Sequence, residues 1–121
     1  MEQFSRFFLP GGLFILTLAS GLWVSHSGRP LSTVLVTLHK LIALGSVIAL
    51  GIQFARLMKI ATPTLAVAML AIAAVSALAL FATGALLSQP RPAALLVLRI
   101  HQVAPLLLLV SAVASLVLFQ R

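Results

Sequence analysis

The stretch IATPTLAVAMLAIAAVSALALFATGALLSQP, Ile60 to Pro90, runs from Lys59 to Arg91 without a charge. A bilayer core takes about 20 apolar residues as a helix, so this stretch is long enough to cross one. Phe7 to Gly28, between Arg6 and Arg29, and Ile100 to Gln120 are built the same way. Leu31 to Phe54 is interrupted only by Lys40. Four spans are expected, at roughly 8–26, 31–56, 62–88 and 93–119. Ser27-Gly28-Arg29-Pro30 and Ser88-Gln89-Pro90-Arg91-Pro92 are turn chemistry, and Lys59 to Pro63 is the middle link. Pro30 and Pro92 suit the first turn of a helix, where a missing N–H costs nothing. Links this short make neighbours antiparallel. The expected fold is all-α: an integral membrane four-helix bundle running up-down-up-down.

The rest of the composition agrees. Of 121 residues, 62% are apolar and 7% charged, against about 25% charged in a soluble domain. Glu2 is the one acid beside eight Lys and Arg. A soluble globule could not cover its surface with so few charges, which excludes a soluble enzyme and a disordered tail. The net charge of +7 is no nucleic-acid patch, because its cations stand singly along the chain. The absence of cysteine excludes disulfides, thiol catalysis, iron–sulfur clusters and covalent haem attachment. Arg6 and the run to Ala19-Ser20-Gly21 would also suit a signal peptide, but the repeat described next needs this helix as a span. Arg6, Arg56, Lys59 and Arg121 fall on one side, Arg29 and Arg91 on the other. The positive-inside rule then expects both termini to be cytoplasmic, and the expected location is a bacterial inner membrane.

The chain repeats itself. Gly21, Ser25 and His26 align with Gly84, Ser88 and Gln89; after a one-residue gap, Arg29, Pro30 and His39 align with Arg91, Pro92 and His101 at an offset of 62. The shared pattern is G-x3-S-(H/Q)-x1–2-R-P-x8-H. Leu and Ala matches would mean little in such a chain, but Arg, Pro and His are rare here. A single domain, 1–121, is expected from a duplicated hairpin, about 1–60 and 61–121. A two-helix repeat keeps its direction across the membrane, which expects a pseudo-two-fold axis along the membrane normal.

His39 and His101 each lie nine residues past the repeat proline, at matched depth about 13 Å below it. Imidazole inside a membrane is a functional signal unless it is merely hydrogen-bonded to carbonyls or hydroxyls. Two at one depth on repeat-related helices favour a shared ligand. A compact zinc or copper ion wants more donors; the spans hold no acid or cysteine, and Met1, Met58 and Met69 show no ligand spacing. Two axial nitrogens are what one non-covalent haem b requires, the porphyrin supplying the other four. His39 and His101 are therefore the expected iron ligands. Gly21 and Gly84, five to seven residues before their helix exits, would leave room for a porphyrin edge. Gly11, Gly12, Gly45 and Gly51 suit close helix packing. Arg29 and Arg91 would meet the propionates, with Lys40 flanking one. Arg99 points away from the histidine face and is expected to snorkel or meet a partner. Pro105 frees the His101 carbonyl and is expected to kink its helix. His26 and Trp23 fit an interface.

These residues resemble the haem-binding bundle of membrane b-type cytochromes, including respiratory cytochrome b. His39 and His101 match the upper ligand pair on the second and fourth helices, and Gly21 and Gly84 resemble the notches on the first and third. Two-haem members carry a second histidine about four turns on. Here those places hold Ile52 and Gln53, and Ala114 and Ser115. The resemblance thus implies a single haem near one face.

The function expected is electron transfer near the non-cytoplasmic face, as a subunit of a larger redox complex or with quinone or a periplasmic redox protein. Two imidazoles leave no open iron position, so the chain is a carrier rather than a catalyst. No base for quinol oxidation stands in the spans. The competing reading is a haem-free accessory subunit of a respiratory or photosynthetic complex. In that case the histidines hydrogen-bond, or ligate chlorophyll singly. A small transporter is a third, supported thinly by Gln53 and scattered Ser and Thr.

Overall fold

A computed structural model describes residues 2–91 and 93–121, with the Gln3 side chain outside the description. A one-turn helix, α1 (Glu2–Ser5), precedes four long ones: α2 (Phe8–Ser27), α3 (Thr33–Met58), α4 (Thr64–Leu87) and α5 (Leu95–Phe119). All four long helices are of a length and apolarity to cross a membrane, and no strand occurs among the described residues. The all-α, four-span expectation holds, with ends within two residues of those read from the sequence. The physical reason is strict: in lipid every backbone group must be satisfied within its own segment, and a helix does this.

The links show which local chemistry decides a helix end. α2 stops at Gly28, whose φ of 70° and ψ of −171° suit glycine alone. Pro30, expected in the first turn of the second span, instead stands three residues ahead of α3, after a cis Arg29–Pro30 bond. Ser32 takes the helix start: its Oγ accepts from the Leu35 N–H at 3.4 Å and its carbonyl from Val36 at 3.0 Å. A serine hydroxyl can satisfy an orphan N–H, and proline has nothing to offer there. The corresponding role expected of Pro92 lies outside the described residues. Pro63 precedes α4, and its carbonyl accepts the Val67 N–H at 3.0 Å. α4 closes at Leu87, where Ser88 and Gln89 N–H groups return to the Gly84 and Leu86 carbonyls. α5 runs through Pro105 as one helix.

The chain divides into two compact units, Met1–Arg56 and Leu57–Arg121. Within the first, pairs of residues approach in antiparallel order. Phe7 and Phe54 meet edge to face at 5.3 Å, and Ser46 Oγ donates to the Pro10 carbonyl at 3.5 Å. Within the second, Ser115 is fully buried and its Oγ donates to the Ala66 carbonyl across the hairpin at 2.8 Å. Most buried positions of this hairpin are small: Ala66, Ala73, Ser76 and Ala77 on α4, and Ala104, Ser111, Ala112 and Ser115 on α5, with Thr83 and Leu108 the larger ones. Lipid tails are as apolar as leucine, so membrane helices associate through close packing and interhelical hydrogen bonds. Most large side chains, such as Leu65, Val75, Leu78, Leu106 and Val110, face outward instead.

Ala66 has no exposed surface, so Ala66→Leu must push α4 off α5. The expected loss is about 1–3 kcal/mol, read as a lower unfolding midpoint in mixed micelles. An unchanged midpoint would mean that this seam does not hold the hairpin.

Candidate functional site

In the first hairpin α2 presents Ser20 and Gly21 to His39 on α3. Ser20 Oγ lies 2.9 Å from His39 Nδ1 and 3.0 Å from the Thr17 carbonyl oxygen. The Thr17 main chain is a further hydrogen-bond partner of the ring. The imidazole lies against Gly21. A Cβ at that position would stand 2.9 Å from His39 Cε1, 3.4 Å from Nδ1 and 3.6 Å from Nε2.

The second hairpin repeats the arrangement. α4 presents Thr83 and Gly84 to His101 on α5. Thr83 is buried, with its Oγ1 at 2.8 Å from His101 Nδ1, 2.7 Å from the Ala79 carbonyl and 3.3 Å from that of Leu80. A Cβ on Gly84 would stand 3.3 Å from His101 Cε1 and 3.9 Å from Nδ1. His39 comes six residues after Thr33 and His101 six after Leu95, so each ring sits about 9 Å into its own helix.

The hydroxyls assign the protons on the rings. A carbonyl oxygen only accepts, so the 2.7 Å contact with Ala79 takes the Thr83 hydroxyl proton. Thr83 Oγ1 then faces His101 as an acceptor, and Nδ1–H is the donor. Ser20, with its proton on the Thr17 carbonyl, stands in the same relation to His39. A neutral imidazole protonated at Nδ1 carries its lone pair on Nε2, the atom that can coordinate a metal. In metal sites the ligating ring donates its other N–H to a nearby acceptor, and each Nδ1 here has a hydroxyl oxygen within 2.9 Å.

The other expected site residues are at the surface. Arg29 and Arg91 are exposed in the links, each ten residues before its histidine, and Lys40 is exposed one residue after His39. Arg99 is exposed, its Nη1 donating to Gln102 Oε1 at 3.5 Å. His26 and Trp23 are exposed near the end of α2. Gly21 lies six residues before the end of its helix, as expected; Gly84 lies only three from the end of α4, because that helix closes on the Gly84 carbonyl itself. Among the described residues no three His, Cys, Asp or Glu stand together, so a compact ion has no full donor set here.

Sequence reasoning missed Ser20 and Thr83. The signal was one residue away: both precede the repeat glycine, at the same offset of 63 as Gly21 and Gly84, so the repeat begins (S/T)-G rather than G. The fold and these seats define a class, an all-α integral membrane protein holding two hydroxyl-anchored imidazoles. Compared with family models, curated proteins and solved structures, the chain matches none.

Proposed function

We propose that this protein is a single-haem membrane b-type cytochrome, with Nε2 of His39 and Nε2 of His101 as the two axial ligands of one haem b iron. One observation carries the reading: the same imidazole seat, with hydroxyl on Nδ1 and glycine under the ring, occurs in both hairpins at the same helical position. The donor set fits the group. Two neutral imidazole nitrogens complete an octahedron whose other four positions the porphyrin fills. Bound haem supplies one-electron chemistry. His39 and His101 would hold the iron, Gly21 and Gly84 seat the rings, and Arg29, Arg91 and Lys40 would supply positive charge for the propionates. The proposed setting is the non-cytoplasmic side of a bacterial inner membrane with cytoplasmic termini, and the proposed partners are a larger redox complex, quinone or a periplasmic redox protein.

The hydroxyl contact also favours a second reading, a haem-free accessory subunit, since hydrogen-bonded histidines are what such a subunit would contain. The haem reading is preferred because the same hydroxyl-and-glycine seat is built twice, once on each of two repeat-related hairpins. An optical spectrum of the full chain, purified in detergent after expression with haem supply, separates the two. Sharp reduced bands of six-coordinate haem b are expected. A folded, colourless preparation whose reduced spectrum gains no six-coordinate haem bands on adding hemin would sink the cytochrome reading.

A further inference from the structure

We infer that Ser20 and Thr83 are paired positioning residues that hold His39 and His101 as Nδ1–H tautomers and so present Nε2 as the ligand atom. The inference deepens the haem reading and takes its ligand from it, but the tautomer itself is a property of the chain alone.

An imidazole in an apolar setting has no intrinsic reason to keep its proton on Nδ1, and water is scarce there to help choose. Each hydroxyl biases the choice through a one-way chain. The Thr83 proton is committed to the Ala79 carbonyl at 2.7 Å, and the Ser20 proton to the Thr17 carbonyl at 3.0 Å. Donating sharpens each hydroxyl oxygen as an acceptor, and that oxygen lies 2.8 or 2.9 Å from Nδ1. The opposite tautomer would set two acceptors, Nδ1 and the carbonyl, against one hydroxyl proton. Pulling on Nδ1–H also makes Nε2 the more basic donor. A more basic axial nitrogen stabilises ferric over ferrous iron, so each hydroxyl holds the potential down. The neighbouring glycine completes the seat: the ring lies over Gly21 and against Gly84, so the hydroxyl sets the proton and the glycine makes room for the ring. The second seat is the tighter, because Thr83 is buried and reaches two carbonyls.

The test uses the haem-free full chain, labelled with nitrogen-15 at histidine and held in detergent micelles. Both rings are expected to show a protonated Nδ1 and a bare Nε2. Thr83→Val should release this bias at His101 alone, and Ser20→Ala should weaken it at His39 alone, where the Thr17 main chain still meets the ring, whereas Ser20→Thr and Thr83→Ser should keep it. In hemin titrations the two hydroxyl-less variants should bind about ten- to hundred-fold more weakly and show an upward shift in potential, with both effects reversed by the Ser/Thr exchanges. A proton on Nε2 in the unsubstituted chain, or a tautomer indifferent to both substitutions, would overturn the inference. Nδ1–H rings in a chain that takes up no hemin would uphold the positioning role and overturn the haem reading, so the two failures are distinguishable.

Discussion

Under the proposed haem reading, alanine at either His39 or His101 is expected to abolish the six-coordinate haem spectrum, each single variant losing it as completely as the double. This is the largest effect expected of any substitution in the chain. An iron with one imidazole is five-coordinate and high-spin, so the low-spin bands vanish even where some haem stays bound. The loss is not a folding artefact. When His101 is removed, the Thr83 hydroxyl still donates to the Ala79 carbonyl at 2.7 Å, so that hydroxyl is not orphaned. The hydroxyl contact itself is worth about 1 kcal/mol. The same holds for Ser20, whose proton goes to Thr17. Far-ultraviolet circular dichroism of both variants should therefore match the unsubstituted chain. His26→Ala serves as the control. His26 is exposed near the end of α2, and its loss should leave the bands in place. Unchanged spectra in both His39→Ala and His101→Ala would show the ligand assignment to be wrong.

What could be read from the residues depended on how many neighbours decide each feature. The four spans needed none: a run such as Ile60 to Pro90 has no conformation but a helix that satisfies its backbone in lipid. That the two histidines hold equivalent places in their helices was legible. Each stands six residues in, about 9 Å rather than the roughly 13 Å counted from the repeat proline, because α3 and α5 start at Thr33 and Leu95. The helix start near Pro30 was misjudged because a fixed φ was weighed and the Ser32 hydroxyl, which caps Leu35, was not. The partners of the histidines were harder, because spacing along one helix gives height and leaves open which residues of the next helix stand at that height. Gly21 and Gly84 could be picked out as rare residues in a repeat. Ser20 and Thr83 could not, being different residues in a chain with many scattered hydroxyls. What makes them equivalent is the acceptor each offers to Nδ1 at 2.9 and 2.8 Å, and that appears only in three dimensions.

The glycines were expected to leave room for a macrocycle edge, and what stands against each of them is imidazole. That contact turns a yes-or-no expectation into a graded one. At Gly21 a Cβ would meet the ring across Cε1, Nδ1 and Nε2, with Cε1 at 2.9 Å, so Gly21→Ala must displace the ring. His39 can move only by stretching its bond to Ser20, which costs about 1 kcal/mol, or by straining its rotamer at a similar cost. A shift of about 1.4 kcal/mol is tenfold in affinity, and Gly21→Ala should weaken hemin binding by about that factor. At Gly84 the approach is to Cε1 at 3.3 Å with Nδ1 at 3.9 Å, so a ring movement of a few tenths of an ångström relieves it. Gly84→Ala should stay within about threefold of the unsubstituted chain, on the same scale. Leucine at either position fills the ring's place altogether and should eliminate six-coordinate binding, with the helices retained by circular dichroism. Hemin titration of the four variants checks the order. Full occupancy in Gly21→Leu and Gly84→Leu would mean that the rings do not need these seats. A weaker Gly84→Ala than Gly21→Ala would mean that the contacts at Cε1 do not set the ligand geometry.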